Sequence, residues 1–308
     1  MNVIDKEFSK LVNEIKSLSE KELYYQMRKN FDNVPDKTKR NCMEFFNQFN
    51  YWGNLDIDEN NYQEIELKEE ALSNHIDDFV WVYNHLGDYR SKNTLYSILS
   101  NWYRYDFNTS SRTREYMYDD YFDLDLVKCE DGEVIVDLGA YTGDTVLSYI
   151  KNYGAESYKK IYCYEITESI YETLKENLKA YNNIEFRLKG VSNEEGKMRV
   201  DTNDSSLSAN TLSESEDGDI EVTTLDKDIT EKITLIKSDI EGFEQKAIEG
   251  AKNHILNDHP KLLISVYHNN EDLWKIPKMI YDIHSDYKFY LRYTGSPIYP
   301  TEITLIAV

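Results

Sequence analysis

The chain has 308 residues, enough for one large domain or two smaller ones with a sizeable hydrophobic core. It carries 57 acidic and 35 basic residues, which give a formal net charge of −22 at pH 7. That charge argues against nucleic-acid phosphates or an anionic membrane surface as the main partner, and its ordinary consequence is a well-solvated protein surface.

Cysteine usage and the length of the apolar runs indicate a compartment. Cys42, Cys129 and Cys163 form no CxxC pair, so we expect reduced thiols in a reducing environment. Residues 2–10 carry mixed charges and lack the apolar core of a signal peptide, and the longest apolar runs are too short to span a bilayer. We therefore expect a cytoplasmic protein without membrane insertion.

Apolar residues recur at helical spacing through the N-terminal part of the chain, where Gly and Pro are scarce. The pattern predicts four helices, around residues 8–18, 43–49, 71–83 and 95–102. Residues 54–61 are predicted to form a polar loop. This part holds no recognisable catalytic motif. We interpret residues 1–116 as an all-helical region that forms a cap or an arm for homo-oligomer formation, with shaping of the substrate entrance as its functional alternative.

From residue 117 onward, short apolar runs alternate with helical stretches. Strands are predicted at 133–137, 161–164, 184–188, 197–200, 233–238, 262–266, 287–292 and 303–308, the last two paired antiparallel, and 220–225 is expected to return toward the same sheet. Alternating strands and helices with right-handed crossovers predict an α/β fold, with a doubly wound, mostly parallel seven-stranded sheet over residues 117–308. The polar stretch 201–219 predicts a mobile loop or lid.

Acidic and imidazole side chains follow the predicted strands at the points where those strands end. Asp137 ends the first strand, and Glu165 ends the second. Asp239 and Glu241 follow the predicted strand at 233–238, and His268 follows the one at 262–266. Because ligands of doubly wound sheets bind beyond the carboxyl ends of the strands, these side chains are candidate site residues.

The turn after the first strand distinguishes between nucleotide ligands. A dinucleotide-binding turn would read Gly-x-Gly-x-x-Gly, but here Gly139 and Gly143 enclose three other residues, and Asp137 and Asp144 flank the turn. Acids in these positions repel a pyrophosphate and suit a cationic ligand such as S-adenosylmethionine, which carries a sulfonium and an ammonium. A carboxylate at the position of Glu165 can accept hydrogen bonds from both ribose hydroxyls of an adenosine ligand.

Five motifs carry a family resemblance, at residues 136–144, 164–165, 224–226, 236–244 and 250–260. On these motifs, which lie within residues 117–308, the chain resembles the FkbM family of S-adenosylmethionine-dependent methyltransferases, a branch of the class I Rossmann-like methyltransferases. The Lys-x-Asp-x-Glu-Gly run that starts at Lys237 is its most specific element. Tyr121 and Phe122 also resemble the lead-in of some members. Tyr141 departs from the pattern, because many members carry Asn there, and the tip of the turn is expected to contact the methionine part of the donor differently.

The resemblance implies O-methylation of a sugar, a glycan, a polyketide or another small hydroxylated acceptor. It also implies that S-adenosylmethionine is held by Asp137, Gly139, Ala140, Tyr141, Thr142, Gly143, Asp144, Glu165, Ile166, Val191, Asp239 and Glu241. His268 is the first candidate base, because an unperturbed imidazole accepts a proton near neutral pH. Asp239 is the second, with binding of the cofactor ammonium or capping of a helix as its alternative role. Glu241 is expected to cap the next helix.

Asp239, Glu241 and His268 have the chemistry of metal ligands, but their spacing is not dense and we expect no metal. Two other functions stay open. One is a methyltransferase-like fold that has become a binding or scaffold protein. The other is an NAD-dependent oxidoreductase or epimerase, which would need the missing glycine.

Overall fold

In the computed structural model, residues 2–49, 51–118, 121–203, 209–214, 218–296 and 298–308 are described. The chain divides into two compact units. The first unit comprises Met1–Glu115, Val266–Lys278 and Lys288–Thr304, and the second comprises Tyr116–Ser265, Met279–Tyr287 and Leu305–Val308. The predicted domain boundary between residues 116 and 117 stays a prediction.

The N-terminal part of the first unit contains six helices and one short hairpin. The helices are α1 (Val3–Lys16), α2 (Glu20–Asp32), α3 (Asp36–Phe46), α4 (Gln63–His85), α5 (Tyr89–Arg104) and α6 (Phe107–Thr113). The strands β1 (Leu55–Asp56) and β2 (Asn61–Tyr62) pair antiparallel. The expectation of an all-helical region is therefore wrong at this hairpin, which lies in the stretch interpreted as a polar loop.

Helix α1 shows why the apolar spacing predicts these helices well. Phe8, Leu11, Val12 and Ile15 are buried on one face, as expected, and the ring of Phe8 stacks on that of Tyr83 at 3.8 Å. A capping box between Asn2 and Asp5 satisfies backbone N–H groups at the start of the helix.

Two helices were not predicted, α2 and α6. Helix α2 buries Leu23, Met27 and Phe31, which recur every four residues, and it begins with a capping box between Ser19 and Glu22. Its signal was therefore present in the sequence. Helix α6 contains mostly polar residues, and its buried residues are Ser110 and Thr113. Its sequence therefore lacks the apolar spacing from which a helix is predicted.

Eleven further strands follow among the described residues. They are β3 (Glu133–Leu138), β4 (Tyr158–Glu165), β5 (Ile184–Leu188), β6 (Gly190–Val191), β7 (Gly196–Asp201), β8 (Thr211–Glu214), β9 (Ile220–Thr223), β10 (Leu235–Ser238), β11 (Lys261–Ser265), β12 (Phe289–Tyr293) and β13 (Ile303–Ala307). The remaining helices are α7 (Asp144–Tyr153), α8 (Glu168–Leu178), α9 (Leu225–Asp228), α10 (Glu244–Gly250), α11 (Lys252–Asp258) and α12 (Asp272–Ile283).

The larger sheet has seven strands in the order β12-β13-β11-β10-β3-β4-β5. The pairs β11–β10, β10–β3, β3–β4 and β4–β5 are parallel, whereas the whole sheet is mixed. The α/β architecture and the seven strands are as expected. The chain proceeds from β3 to β4 on one side and later to β10 on the other, so the strand order reverses at β3. In open α/β sheets this switch point is where ligands bind.

A second, four-stranded sheet has the order β6-β9-β7-β8 and a small core of Met198, Leu212, Ile220 and Val222. The expectation that 220–225 returns to the larger sheet is wrong, because 220–223 form β9 of this smaller sheet and Leu225 begins α9. The polar stretch 201–219 contains strand β8, so it is not one continuous loop. Residues 204–208 and 215–217, within that predicted lid, lie outside the described residues.

Two further expectations concern the three cysteines and insertion into a membrane. Cys42, Cys129 and Cys163 are free, and Cys163 is buried as a small apolar residue. Burial raises the pKa of the Cys129 thiol to about 11. Within the described ranges, none of the helices is both long enough and apolar enough to cross a membrane.

Candidate functional site

The site begins with a buried ion pair at the end of β3. Strand register places Lys237 of β10 directly beside Asp137 of β3, and in adjacent parallel strands paired residues face the same side. The Lys237 Nζ lies 3.1 Å from Asp137 Oδ1, and both side chains are buried. The same ammonium donates to the carbonyl oxygens of Leu138 at 3.2 Å and Gly139 at 2.7 Å. Lys237 therefore ties the glycine turn to the neighbouring strand.

Several carboxylates act on this ammonium, so the region is negative. Burial raises the pKa of Asp137 to about 6; Lys237 opposes that rise, and the charges of Asp144 and Asp239 add to it. Burial lowers the pKa of Lys237, but Asp137 and Asp239 outweigh that effect and leave it raised. Lys237 is thus charged at neutral pH and surrounded by more negative than positive charge, an arrangement that favours a cationic ligand.

The glycine turn brings the backbone of β3 against the turn after β10. Gly139 has φ +71°, and a Cβ placed on it would lie 1.9 Å from the carbonyl oxygen of Asp239. Gly143 has φ +91°, and a Cβ there would lie 2.9 Å from Leu178 Cγ. Both positions accordingly require glycine.

Tyr141, at the tip of the turn, has a φ of 45° and is the non-glycine residue of the turn in the left-handed region. Asn adopts this conformation more readily than Tyr does, so the backbone here has the geometry for which Asn is the more usual choice. Ala140 is fully buried, and Thr142 is half-buried, with its carbonyl oxygen accepting from Asn177 Nδ2 at 2.9 Å. Asp144 begins α7 and is exposed.

Glu165 lies at the end of β4, and its carboxylate contacts the glycine turn. Its Oε2 accepts from the backbone N–H of Tyr141 at 3.1 Å, and its Oε1 accepts from those of Ile166 at 2.9 Å and Thr167 at 2.8 Å. Burial raises the pKa of Glu165, although these N–H groups pull it down. The side chain thus fixes the turn as well as presenting a carboxylate at the edge of the sheet.

Ile166 follows Glu165 in the chain, and Val191 lies in β6. Ile166 is half-buried against the core of the four-stranded sheet, and Val191 is buried. A Cβ on Gly190 would lie 3.6 Å from Ile166 Cγ2, so β6 passes close to the turn after β4. Both residues offer apolar contact surface.

The turn after β10 is hydrogen-bonded to three other segments of the chain. The Asp239 backbone N–H donates to Leu138 O at 3.1 Å, and its Oδ2 accepts from the hydroxyl of Tyr121 at 2.6 Å. Glu241 has φ 55°, and its carbonyl oxygen accepts from Thr211 Oγ1 at 2.8 Å.

The buried carboxylate of Glu244 holds the turn that leads into α10. It accepts from the backbone N–H of Ile240 at 2.8 Å and of Gly242 at 3.1 Å. Glu244 is placed for this because it lies at the start of α10, with its side chain directed back over the turn. Capping of the helix by Glu241 stays a prediction.

His268 belongs to the first unit, three residues past the end of β11. It is buried, and its ring lies 5.5 Å from that of Tyr51 and 4.2 Å from that of Tyr267, between centroids. Its role as the base stays a prediction. Asp239 and Glu241 lie in the second unit, and the expectation of no metal also stays a prediction.

Sequence reasoning missed Tyr121 and Glu244 as parts of this site. Glu244 belongs to the motif that follows β10, so its involvement was accessible from the sequence. Tyr121 precedes β3 by 12 residues and reaches Asp239 only through the fold, so only its place in the lead-in hinted at a role.

Comparisons with a family model and with solved structures give matches to methyltransferases. A family model described as the methyltransferase FkbM domain matches residues 137–293. The crystal structure of methyltransferase FkbM from Methylobacillus flagellatus matches at 25% sequence identity with a TM-score of 0.66 and covers 79% of this chain. The chain spans 62% of the length of that protein.

Other solved structures are less similar. An rRNA methylase from Streptococcus thermophilus is 18% identical over 58% of this chain and 87% of its own, with a TM-score of 0.37. A putative methyltransferase from Streptococcus mutans in complex with SAH is 14% identical over 58% of this chain and 90% of its own, also at 0.37. Both scores are too low for the sites to be compared. No curated protein matches the chain.

The contact between Gly139 and Asp239 predicts a large effect of one methyl group. Gly139→Ala should destabilise the protein by several kcal/mol, because the new Cβ would meet a backbone oxygen in addition to the strain of a positive φ. Gly132→Ala is the matched control, since Gly132 has φ +92° with nothing within 4 Å of its Cβ position, and should cost about 1–2 kcal/mol. Urea unfolding measures both, and equal losses would contradict the predicted clash.

Removing the buried ammonium should also be costly. Lys237→Met should lower the free energy of unfolding by about 3–5 kcal/mol, because Asp137 is left buried and unpaired. Adding Asp137→Asn should recover part of the loss. Lys175→Met, in an exposed pair with Glu172, should change stability by less than about 1 kcal/mol. Additive losses in the double variant would show that the two side chains do not act as a pair.

Proposed function

The chain belongs to the FkbM methyltransferase family, and from this premise we propose that it transfers the methyl group of S-adenosylmethionine to a hydroxyl oxygen of a sugar, a glycan or another small hydroxylated acceptor. The observation that carries the proposal is the acid-rich glycine turn after β3. There Asp137 lies 3.1 Å from the Lys237 ammonium, and the charges of Asp239 and Asp144 also act on it and leave an excess of negative charge.

The residues of the turn fit a cationic adenosyl donor. The negative charge suits the sulfonium and the ammonium, which a pyrophosphate-bearing dinucleotide lacks. Gly139 and Gly143 let the turn pack at positive φ against the Asp239 carbonyl oxygen and Leu178, and this packing sets the backbone that the turn offers to a ligand. Glu165 supplies a carboxylate for ribose hydroxyls, while Ile166 and Val191 supply apolar surface for the adenine ring. When bound, the donor supplies a methyl carbon already activated by the sulfonium.

The work left to the protein is alignment of the acceptor oxygen with that carbon and removal of its proton. Alignment supplies much of the rate in such displacements, because two reactants held in the correct geometry no longer need to meet by chance in solution. A positioned base typically adds about 10²–10⁴-fold. His268 and Asp239 are the two candidates. A buried imidazole beside Tyr51 suits proton transfer from an alcohol in a site shielded from water, and we assign the base to His268.

Donor binding tests the first half of the proposal. In isothermal titration calorimetry, the wild-type protein should bind S-adenosylmethionine and S-adenosylhomocysteine but not NAD. Binding of NAD alone would favour an oxidoreductase, and binding of none of the three would favour a scaffold. Methyl transfer from labelled donor to a panel of monosaccharides and glycans tests the second half, and labelling of amines only would contradict an oxygen acceptor.

Glu165→Ala should weaken S-adenosylmethionine binding by about tenfold or more, because charge-assisted hydrogen bonds are worth roughly 1.5–3 kcal/mol. Glu168→Ala is the matched control, since Glu168 is exposed in the first turn of α8, only three residues away, and its loss should leave the affinity unchanged. The titration is repeated on both variants. Unchanged affinity in Glu165→Ala would remove Glu165 from the donor site.

His268→Gln should lower kcat by about 10²-fold or more while the dissociation constant for S-adenosylmethionine stays within a few-fold of wild type, because a base acts on the acceptor and not on the donor. The assay uses whichever member of the sugar panel accepts the methyl group. His284→Gln, at a half-buried position in the second unit, is the control. Full turnover in His268→Gln would transfer the role of base to Asp239.

A further inference from the structure

Tyr121 lies in the segment that precedes β3, and its side chain reaches the carboxyl end of the sheet. The hydroxyl is 2.6 Å from Oδ2 of Asp239, which follows β10, and 3.5 Å from Oγ of Ser265, the last residue of β11. A single phenol thus touches the ends of two adjacent strands at the edge where the donor site lies. Neither the chain's motifs nor its family match explains this contact.

The ring of Tyr121 also lies near the buried ammonium. Lys237 Nζ is 5.3 Å from the ring centroid, within the range of a cation–π contact. The same ammonium is hydrogen-bonded to the carbonyl oxygens of Leu138 and Gly139 in the glycine turn. The Tyr121 ring therefore lies beside the same ammonium that is hydrogen-bonded to the glycine turn.

The backbone of Asp239 is held on both sides by contacts with the end of β3 and the glycine turn. Its backbone N–H is bonded to Leu138 O at 3.1 Å, and its carbonyl oxygen lies where a Cβ on Gly139 would be. With the backbone held in this way, rotation of the carboxylate decides what its second oxygen faces. A phenol that donates to one oxygen orients the group and stabilises its ionised form.

We propose that Tyr121 is a positioning residue that holds the Asp239 carboxylate ionised and oriented toward the cationic end of the methyl donor. The inference rests on the proposed function, since it assigns Asp239 to donor binding and thereby leaves the base to His268. Tyr121 itself acts only through Asp239.

A double-mutant cycle on donor affinity tests this inference. The dissociation constant of S-adenosylmethionine is measured by calorimetry for wild type, Tyr121→Phe, Asp239→Asn and the double variant. Tyr121→Phe should weaken binding roughly tenfold, the change that about 1.4 kcal/mol produces. Asp239→Asn should weaken it at least as much. The double variant should bind no worse than Asp239→Asn alone, because the phenol then has no charged partner to orient.

Tyr162→Phe is the matched control. Tyr162 is a tyrosine of the second unit whose hydroxyl, like that of Tyr121, donates to a carboxylate, here that of Glu231 at 2.7 Å. The two Tyr→Phe variants should lose similar thermal stability, but only Tyr121→Phe should lose donor affinity. A purely structural role of Tyr121 would lower its melting temperature and leave the dissociation constant at the wild-type value, which would overturn the inference.

Two other outcomes separate the inference from the proposed function. If Tyr121→Phe weakens binding equally in the wild-type and Asp239→Asn backgrounds, Tyr121 does not act through Asp239, and the inference fails while donor binding stands. If the wild-type protein itself does not bind S-adenosylmethionine, the proposed function and the inference fail together.

Discussion

The candidate site depends on the interactions of the buried Lys237 ammonium with the oxygens around it. Placing an ammonium and a carboxylate in a protein interior costs several kcal/mol for each ion, so the pair with Asp137 is tolerable only because further oxygens meet the ammonium. Those oxygens are the carbonyl groups of Leu138 and Gly139. The charge that neutralises the end of β3 therefore also holds the turn that follows it. A substitution at this lysine would disturb charge balance and turn geometry at once.

The three turns after β3, β4 and β10 contact one another directly. The first and third meet where the Asp239 carbonyl oxygen lies against Gly139, and the first and second meet where Glu165 accepts from the backbone of Tyr141. The four-stranded sheet braces the arrangement from one end of β8. Asn210 donates to Thr167 Oγ1 at 3.0 Å, and the next residue, Thr211, donates to the Glu241 carbonyl oxygen. These contacts support the proposed binding of a methyl donor, because a site that is already ordered spends little binding energy on ordering itself.

The sequence by itself determined the strands β3, β4, β5, β10 and β11, the acids at the ends of β3, β4 and β10, and the glycine turn, because these depend on local periodicity and on the backbone requirements of Gly139 and Gly143. It also carried the signal for α2, in the spacing of Leu23, Met27 and Phe31. It misassigned 220–223, because a short β-branched run looks the same whichever sheet it joins.

Only the tertiary structure decided which side chains meet. The partnership of Lys237 with Asp137 follows from strand register, and that of Tyr121 with Asp239 joins residues 118 positions apart. The contact of Glu244 with the backbone of the turn depends on backbone angles that no residue pattern reports. Local periodicity specifies each element because it acts between near neighbours in the chain, whereas contacts across the edge of a sheet depend on how distant segments are brought together.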